Sequence, residues 1–341
     1  MQRHVKKSVL LAVVLALLAA CSAWAADVVV TDGLGREVEI TLPVNRIVTN
    51  YGIATHMLFA LGAEDRLVGI DMPSQQDKFF NSLRPEVGTM ASAGSPRELN
   101  IEQAIALRPD LLLVPGRNRD LIEGLEARGL TGVFGVIAED LDQLRTTIAS
   151  LGKALGEEDK AEKFIKYYDE TLACIADRTK DLAEEEKPLV YIAGRDGLLS
   201  TCGKDMYQHS VIQMAGGRNA GGDDSLGGAA QGWFKVSPEQ LINWDPDYIL
   251  VVRYGVEVTP EQILSDPRFQ GVSAVRNGRV LWFPSNLNSW DFPAPQAVLG
   301  VQWLARLLHP DKFGDMDLQK DVDEFFRTFY GKSFTELGGE M

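Results

Sequence analysis

Histidine is scarce in this chain and cysteine scarcer: four and three among 341 residues. His4, His56, His209 and His309 are scattered, and no His/Cys/Asp group has the spacing of metal ligands. A bare transition ion held by side chains is therefore not expected. The catalytic signatures GxSxG, HExxH and the Walker P-loop are missing as well. AGGRNAGG is glycine-rich, but it does not open a strand–helix dinucleotide site, so neither an enzyme nor a resident cofactor is expected. Basic residues are outnumbered, 34 Lys and Arg against 48 Asp and Glu, for a net charge of −14. Such a body is ill suited to nucleic acid, which rewards clustered cations. No Gly/Ser-rich tether interrupts the chain, and no segment after residue 20 is long and apolar enough to span a bilayer.

What is present begins with an export signal over residues 1–25. Arg3, Lys6 and Lys7 precede an uncharged apolar core at 8–20. Two exits follow. Leu18-Ala19-Ala20-Cys21 reads as a lipobox, in which Cys21 is acylated and becomes the N-terminus. Ala23-Trp24-Ala25 reads as an ordinary cleavage site before Ala26. The lipobox is preferred because its cysteine directly follows the apolar core. Either exit places the protein outside the cytoplasmic membrane, with a charge of about −17 once the three basic leader residues are gone. In that compartment Cys174 and Cys202 can pair or remain separate thiols, and sequence leaves both states open.

The chain also says one thing twice. Residues 100–114 read NIEQAIALRPDLLLV and residues 237–251 read SPEQLINWDPDYILV. Each copy is a short helix, a proline that ends it, and a buried parallel strand. Two α/β lobes with a cleft between them follow. Around the copies, DVVVTDGLGREVEI reads as a hairpin turning at Asp32-Gly33. Residues 45–49, 67–70 and 132–137 read as strands alternating with helices. Residues 141–186 are nearly all helix formers. Gly152 and Gly156 break them near the start, and a long helix follows from about Glu157 to Glu185. The expected units are thus a lobe at 27–155, a connecting helix at 156–186 and a lobe at 187–341, with two closing helices at 295–308 and 317–330.

With leader, paired lobes and rigid connector in view, residues 30–310 resemble the periplasmic binding proteins of ABC importers for iron–siderophores, cobalamin and haem. The resemblance is carried by LGAEDRLVGID, IEQAIALRPDLLLV, AGGRNA, VSPEQLINWDPDYILV and VRNGRVLWFP. It implies two small, mostly parallel Rossmann-like lobes joined by one stiff helix, with modest closure about a ligand. It also implies that Glu102 and Glu239, one per repeat copy, meet arginines of a membrane permease, which in turn works with an ATPase. As a bottom-up reading the same glutamates are first-turn helix residues, and the two roles are compatible.

Residues just past strand ends are the candidates for the cleft, because open α/β sheets bind ligands there. Arg117, Arg195 and Arg253 each follow an apolar run, and the first and third follow the repeat copies. Guanidiniums converging from both lobes suit an anionic, oxygen-rich chelate. Tyr51, Trp233 and Trp290 are the candidate aromatic wall. Tyr207 and His209 occupy positions where relatives start a helix at the cleft edge. Some relatives place an iron-ligating histidine in the loop before the second repeat; here GGDDSLGGAAQGWFK has none. The expected function is capture of a metal chelate, foremost an iron(III)–siderophore, by a monomer that delivers it to an importer. Cobalamin, haem and nickel chelates are alternatives within the class, and an exported enzyme or sensor is the alternative outside it.

Overall fold

The computed structural model describes residues 26–194, 196–226, 231–253 and 258–341. Strands Ala26–Thr31 and Glu37–Leu42 form the anticipated antiparallel hairpin, in register from Ala26↔Leu42 to Thr31↔Glu37. Asp32 ties that hairpin to the first lobe. Its carboxylate accepts the Leu34, Arg36 and Gly135 amides and pairs with the Arg36 guanidinium at 2.7 Å.

The first-lobe sheet has the spatial order Ala91–Ser92, Leu67–Ile70, Ile47–Thr49, Leu111–Pro115, Val133–Val136, with every pairing parallel. In the second lobe the order is Arg218–Asn219, Leu189–Ala193, Tyr248–Val251, Val280–Trp282, again all parallel. The long strands are buried from end to end, as sheets covered on both faces require.

The repeat is real in three dimensions, and its conserved spacing has a physical cause. Helices Ile101–Ala106 and Pro238–Trp244 are capped alike: the Asn100 side chain accepts the Gln103 amide, and that of Ser237 accepts the Gln240 amide. Each unit then passes through a left-handed residue, Arg108 at φ 46° and Asp245 at φ 43°, before Pro-Asp. The aspartate clamps the start of the neighbouring central strand, or the residues leading into it. Asp110 accepts the Asn45 and Arg46 amides at 2.8 and 2.9 Å, and Asp247 accepts the Leu189 amide at 2.8 Å.

Helix Leu141–Leu155 ends at Gly156, which takes φ 67°, and the connecting helix Glu158–Thr179 follows. Gly152 allows the two helices to cross closely, since a Cβ there would lie 2.4 Å from that of Ala161. The connector stops six residues before the expected Glu185. Beyond Ile175 it has no buried side chain, and a helix without a packed face gains little from continuing. Two short helices, Met72–Gln76 and Lys78–Leu83, had no counterpart in the sequence reading. Asp71 and Asp77 cap them, accepting the Ser74 and Phe79 amides.

One buried cluster runs from Ile47 and Leu113 through Phe164 and Tyr168 of the connector to Val190 and Leu250. The C-terminal helix Leu318–Tyr330 follows the second lobe in sequence but bridges both lobes in space. Phe326 and Tyr330 lie edge-on to Phe79 of the first lobe, at 6.0 and 5.2 Å between ring centroids. Phe329 meets Phe164 of the connector at 5.3 Å, and Phe334 meets Trp290 of the second lobe at 5.6 Å. The two sheets are therefore held by a shared aromatic core as well as by the connector.

Candidate functional site

All strands of each sheet run parallel, so their C-terminal ends share one side of the lobe, where the chain leaves the sheet and side chains are free of strand packing. In the first lobe Tyr51 leaves strand Ile47–Thr49 and becomes the cap residue of helix Gly52–Ala60. Burial pushes the ionisation of its phenol up to about 12, while the charge of Arg117 pulls the other way. Arg117 stands two residues past strand Leu111–Pro115 with its side chain 75% exposed. It pairs with Glu139, which stands three residues past strand Val133–Val136. That bond raises the Arg117 pKa, and Asp205 of the second lobe adds to it. Arg117 is thus an exposed first-lobe cation whose direct partner is Glu139.

In the second lobe the Trp233 ring packs against Gly194, at the end of strand Leu189–Ala193. A Cβ on Gly194 would fall 1.9 Å from its ring, so only glycine fits beneath it. The Asp205 carboxylate anchors the adjoining loop by accepting the Gly232 amide at 2.6 Å. Arg253 stands past strand Tyr248–Val251 and is held within its own lobe. Its Nε donates to the Phe283 carbonyl at 3.2 Å, and its guanidinium lies 5.2 Å above the Trp282 ring. Arg195 falls outside the described residues, as does Cys21.

Three expected wall or edge residues are engaged differently. Trp290 is fully buried against Phe334, so its ring serves the core between the lobes and presents no face to a cleft. Tyr207 is buried too, its hydroxyl without a hydrogen-bond partner among the described residues and its pKa raised by burial. His209 is half-buried, with Nδ1 3.4 Å from the Asn219 amide nitrogen and 2.5 Å from where a Gly222 Cβ would stand. Burial lowers its pKa, and Lys204 lowers it further. The thiols are unlinked: Cys174 is exposed on the connector, and Cys202 is buried with its pKa pushed up to about 12. Glu102 and Glu239 are exposed in the first turns of the matched helices, and neither joins an ion pair among the described residues. Surface hollows of about 510 and 300 Å³, the first beside Arg306 and Met341, the second beside Tyr167 and Cys174, lie away from these strand ends.

The model of a family described as "Periplasmic binding protein" matches residues 47–287. The chain belongs to that family. Among relatives of this periplasmic binding protein is the molybdate-binding protein MolA of Haemophilus influenzae, 28% identical over 351 residues covering 96% of this chain and 97% of the relative. The molybdate-bound structure of MolA superposes with a TM-score of 0.79 at 26% identity, over 90% of this chain and 99% of that one. A cobalamin-binding protein of Halobacterium salinarum is 26% identical over 273 residues, 77% of this chain and 69% of the relative.

The family and its members establish the chain as a substrate-binding protein of the ABC-transporter kind, and not an enzyme. Among its described residues no helix is long and apolar enough to cross a membrane. No group of three or more His, Cys, Asp or Glu among them could hold a metal ion.

Sequence reasoning missed four residues that follow strand ends or set the charge there. Glu139 and Asp205 set the charge around Arg117. Met72, just past strand Leu67–Ile70, and Phe292, in the connection after strand Val280–Trp282, are large, apolar and exposed. The strand-end rule points to Glu139 and Met72 as readily as to the arginines.

Proposed function

We propose that this periplasmic binding protein captures an anionic, oxygen-rich solute between its lobes, a metal oxyanion of the molybdate type being the first candidate. The position of Arg117 carries the reading. It is an exposed guanidinium at a first-lobe strand end, and its one ion-pair partner among the described residues is the half-exposed Glu139. Such a fork donates two parallel hydrogen bonds to an oxyanion, which takes the place of Glu139. The full-length similarity to a molybdate-binding protein supports the same chemistry. Arg253, and Arg195 by its position in sequence, extend the cationic set from the second lobe. Tyr51 and Trp233 are the wall residues we retain.

The ferric siderophore expected from sequence stays as the second reading, because exposed Met72 and Phe292 suit the organic skeleton of a chelate. Closure is limited in either case, since the lobes share a core. The filled protein then meets its permease through Glu102 and Glu239, and acylated Cys21 keeps it at the outer face of the cytoplasmic membrane.

Native mass spectrometry and titration calorimetry against molybdate, tungstate, sulfate, ferric siderophores, cobalamin and haem test the assignment. A stoichiometric complex with molybdate or tungstate is expected. Binding of cobalamin or haem with no affinity for any anion would overturn it.

A further inference from the structure

Few large hydrophobic side chains are more than about two-fifths exposed among the described residues, and two of them occupy the same position of the repeat. Ile105 is 41% exposed and Ile242 is 40% exposed. Each directly follows a residue that its helix buries, Ala104 in one copy and Leu241 in the other. Each also lies three residues after the exposed glutamate of its copy, hence on the same face one turn further on. Folding explains neither. A β-branched residue on an exposed helical face adds nothing to the core and is a weaker helix former than Ala, Leu, Lys or Glu.

We infer that Ile105 and Ile242 are matched apolar anchors of the surface that meets the permease, one on each lobe beside its glutamate. The inference rests on the docking role proposed above for Glu102 and Glu239, and specifies the receiving surface. That surface must offer an apolar pocket next to a cation, and must offer it twice, because the two lobes present one motif in one local geometry. A pair of permease subunits related by a two-fold axis has this property. The pattern is that of an interface hot spot, an apolar contact shielded by a charged rim. A lipid surface is the poorer occupant. The chain carries a net charge of −14, and each isoleucine has a carboxylate beside it, so an anionic bilayer repels both points.

The test measures binding of the molybdate-saturated protein to the permease–ATPase complex in lipid nanodiscs, at low and high salt. Three double variants are compared: Ile105→Ser with Ile242→Ser, Ile105→Met with Ile242→Met, and Glu102→Gln with Glu239→Gln. The serine pair should weaken docking at least about tenfold while keeping the wild-type salt dependence. The methionine pair should dock normally, and the glutamine pair should lose both affinity and salt dependence. Circular dichroism and ligand titration should show all three folded and binding. Unchanged docking by the serine pair, with loss by the glutamine pair, would overturn the isoleucine anchors and leave the glutamates in place. Unchanged docking by both pairs would overturn the docking reading itself.

Discussion

Replacing Glu139 with Gln should tighten anion binding, whereas replacing Arg117 with Ala should weaken it. The sizes follow from exposure. The Arg117 side chain is 75% exposed and that of Glu139 is 39% exposed, so their ion pair is a surface pair. Such pairs contribute about 0–1 kcal/mol. A ligand that displaces Glu139 gives up no more than that, and Glu139→Gln should improve affinity by up to about fivefold. An oxyanion bonded to the same guanidinium gains about 1.5–3 kcal/mol from charge-assisted hydrogen bonds. Net of the pair given up, Arg117→Ala should therefore cost about 0.5–3 kcal/mol, between about twofold and 150-fold, and Arg117→Lys, which loses the planar fork, should cost less. Calorimetric titration with molybdate over a range of sodium chloride reads all three. The gain from Glu139→Gln should shrink as salt screens the competing pair. Weaker binding by Glu139→Gln, or a change below about twofold in Arg117→Ala, would refute the exchange of partners.

Two further outcomes concern the frame that holds the site. Burial keeps His56 neutral and lowers its pKa to about 3 from an ordinary 6.5; its Nδ1 has no hydrogen-bond partner among the described residues, and its ring stacks on Phe79 and lies tilted against Phe80. Because the folded value is the depressed one, this contribution to stability is whole above pH 6.5 and is lost as pH falls toward 3. The loss is about 1.4 kcal/mol per pH unit. Urea unfolding from pH 7 to pH 4 should show a shallower loss in His56→Phe than in wild type, and parallel curves would remove His56 from the acid response. Phe326→Ala, at a fully buried ring touching Phe79, Tyr330 and Phe334, should cost about 3–5 kcal/mol while unfolding remains a single calorimetric transition. Two separate transitions would contradict a core shared by the lobes.

Read by itself, the sequence determined whatever depends on neighbours along the chain. The hairpin at Asp32-Gly33, the glycine stop at Gly156, the helical connector and the doubled helix–Pro-Asp–strand unit are all local rules, and each stands in the structure near its expected place. The family was legible for the same reason, since its motifs are contiguous. Side-chain surroundings are not local, and tertiary structure decided them. Trp290 is buried by Phe334, 44 residues on, while Arg117 is held by Glu139 from the next strand end. The C-terminal helix crosses to the first lobe because its aromatic face fits Phe79, a choice that periodicity cannot encode. Periodicity states that a face is apolar; only the assembled fold states what covers it. Recognition of the solute belongs to this second kind, resting on a few kcal/mol among groups brought together from distant segments.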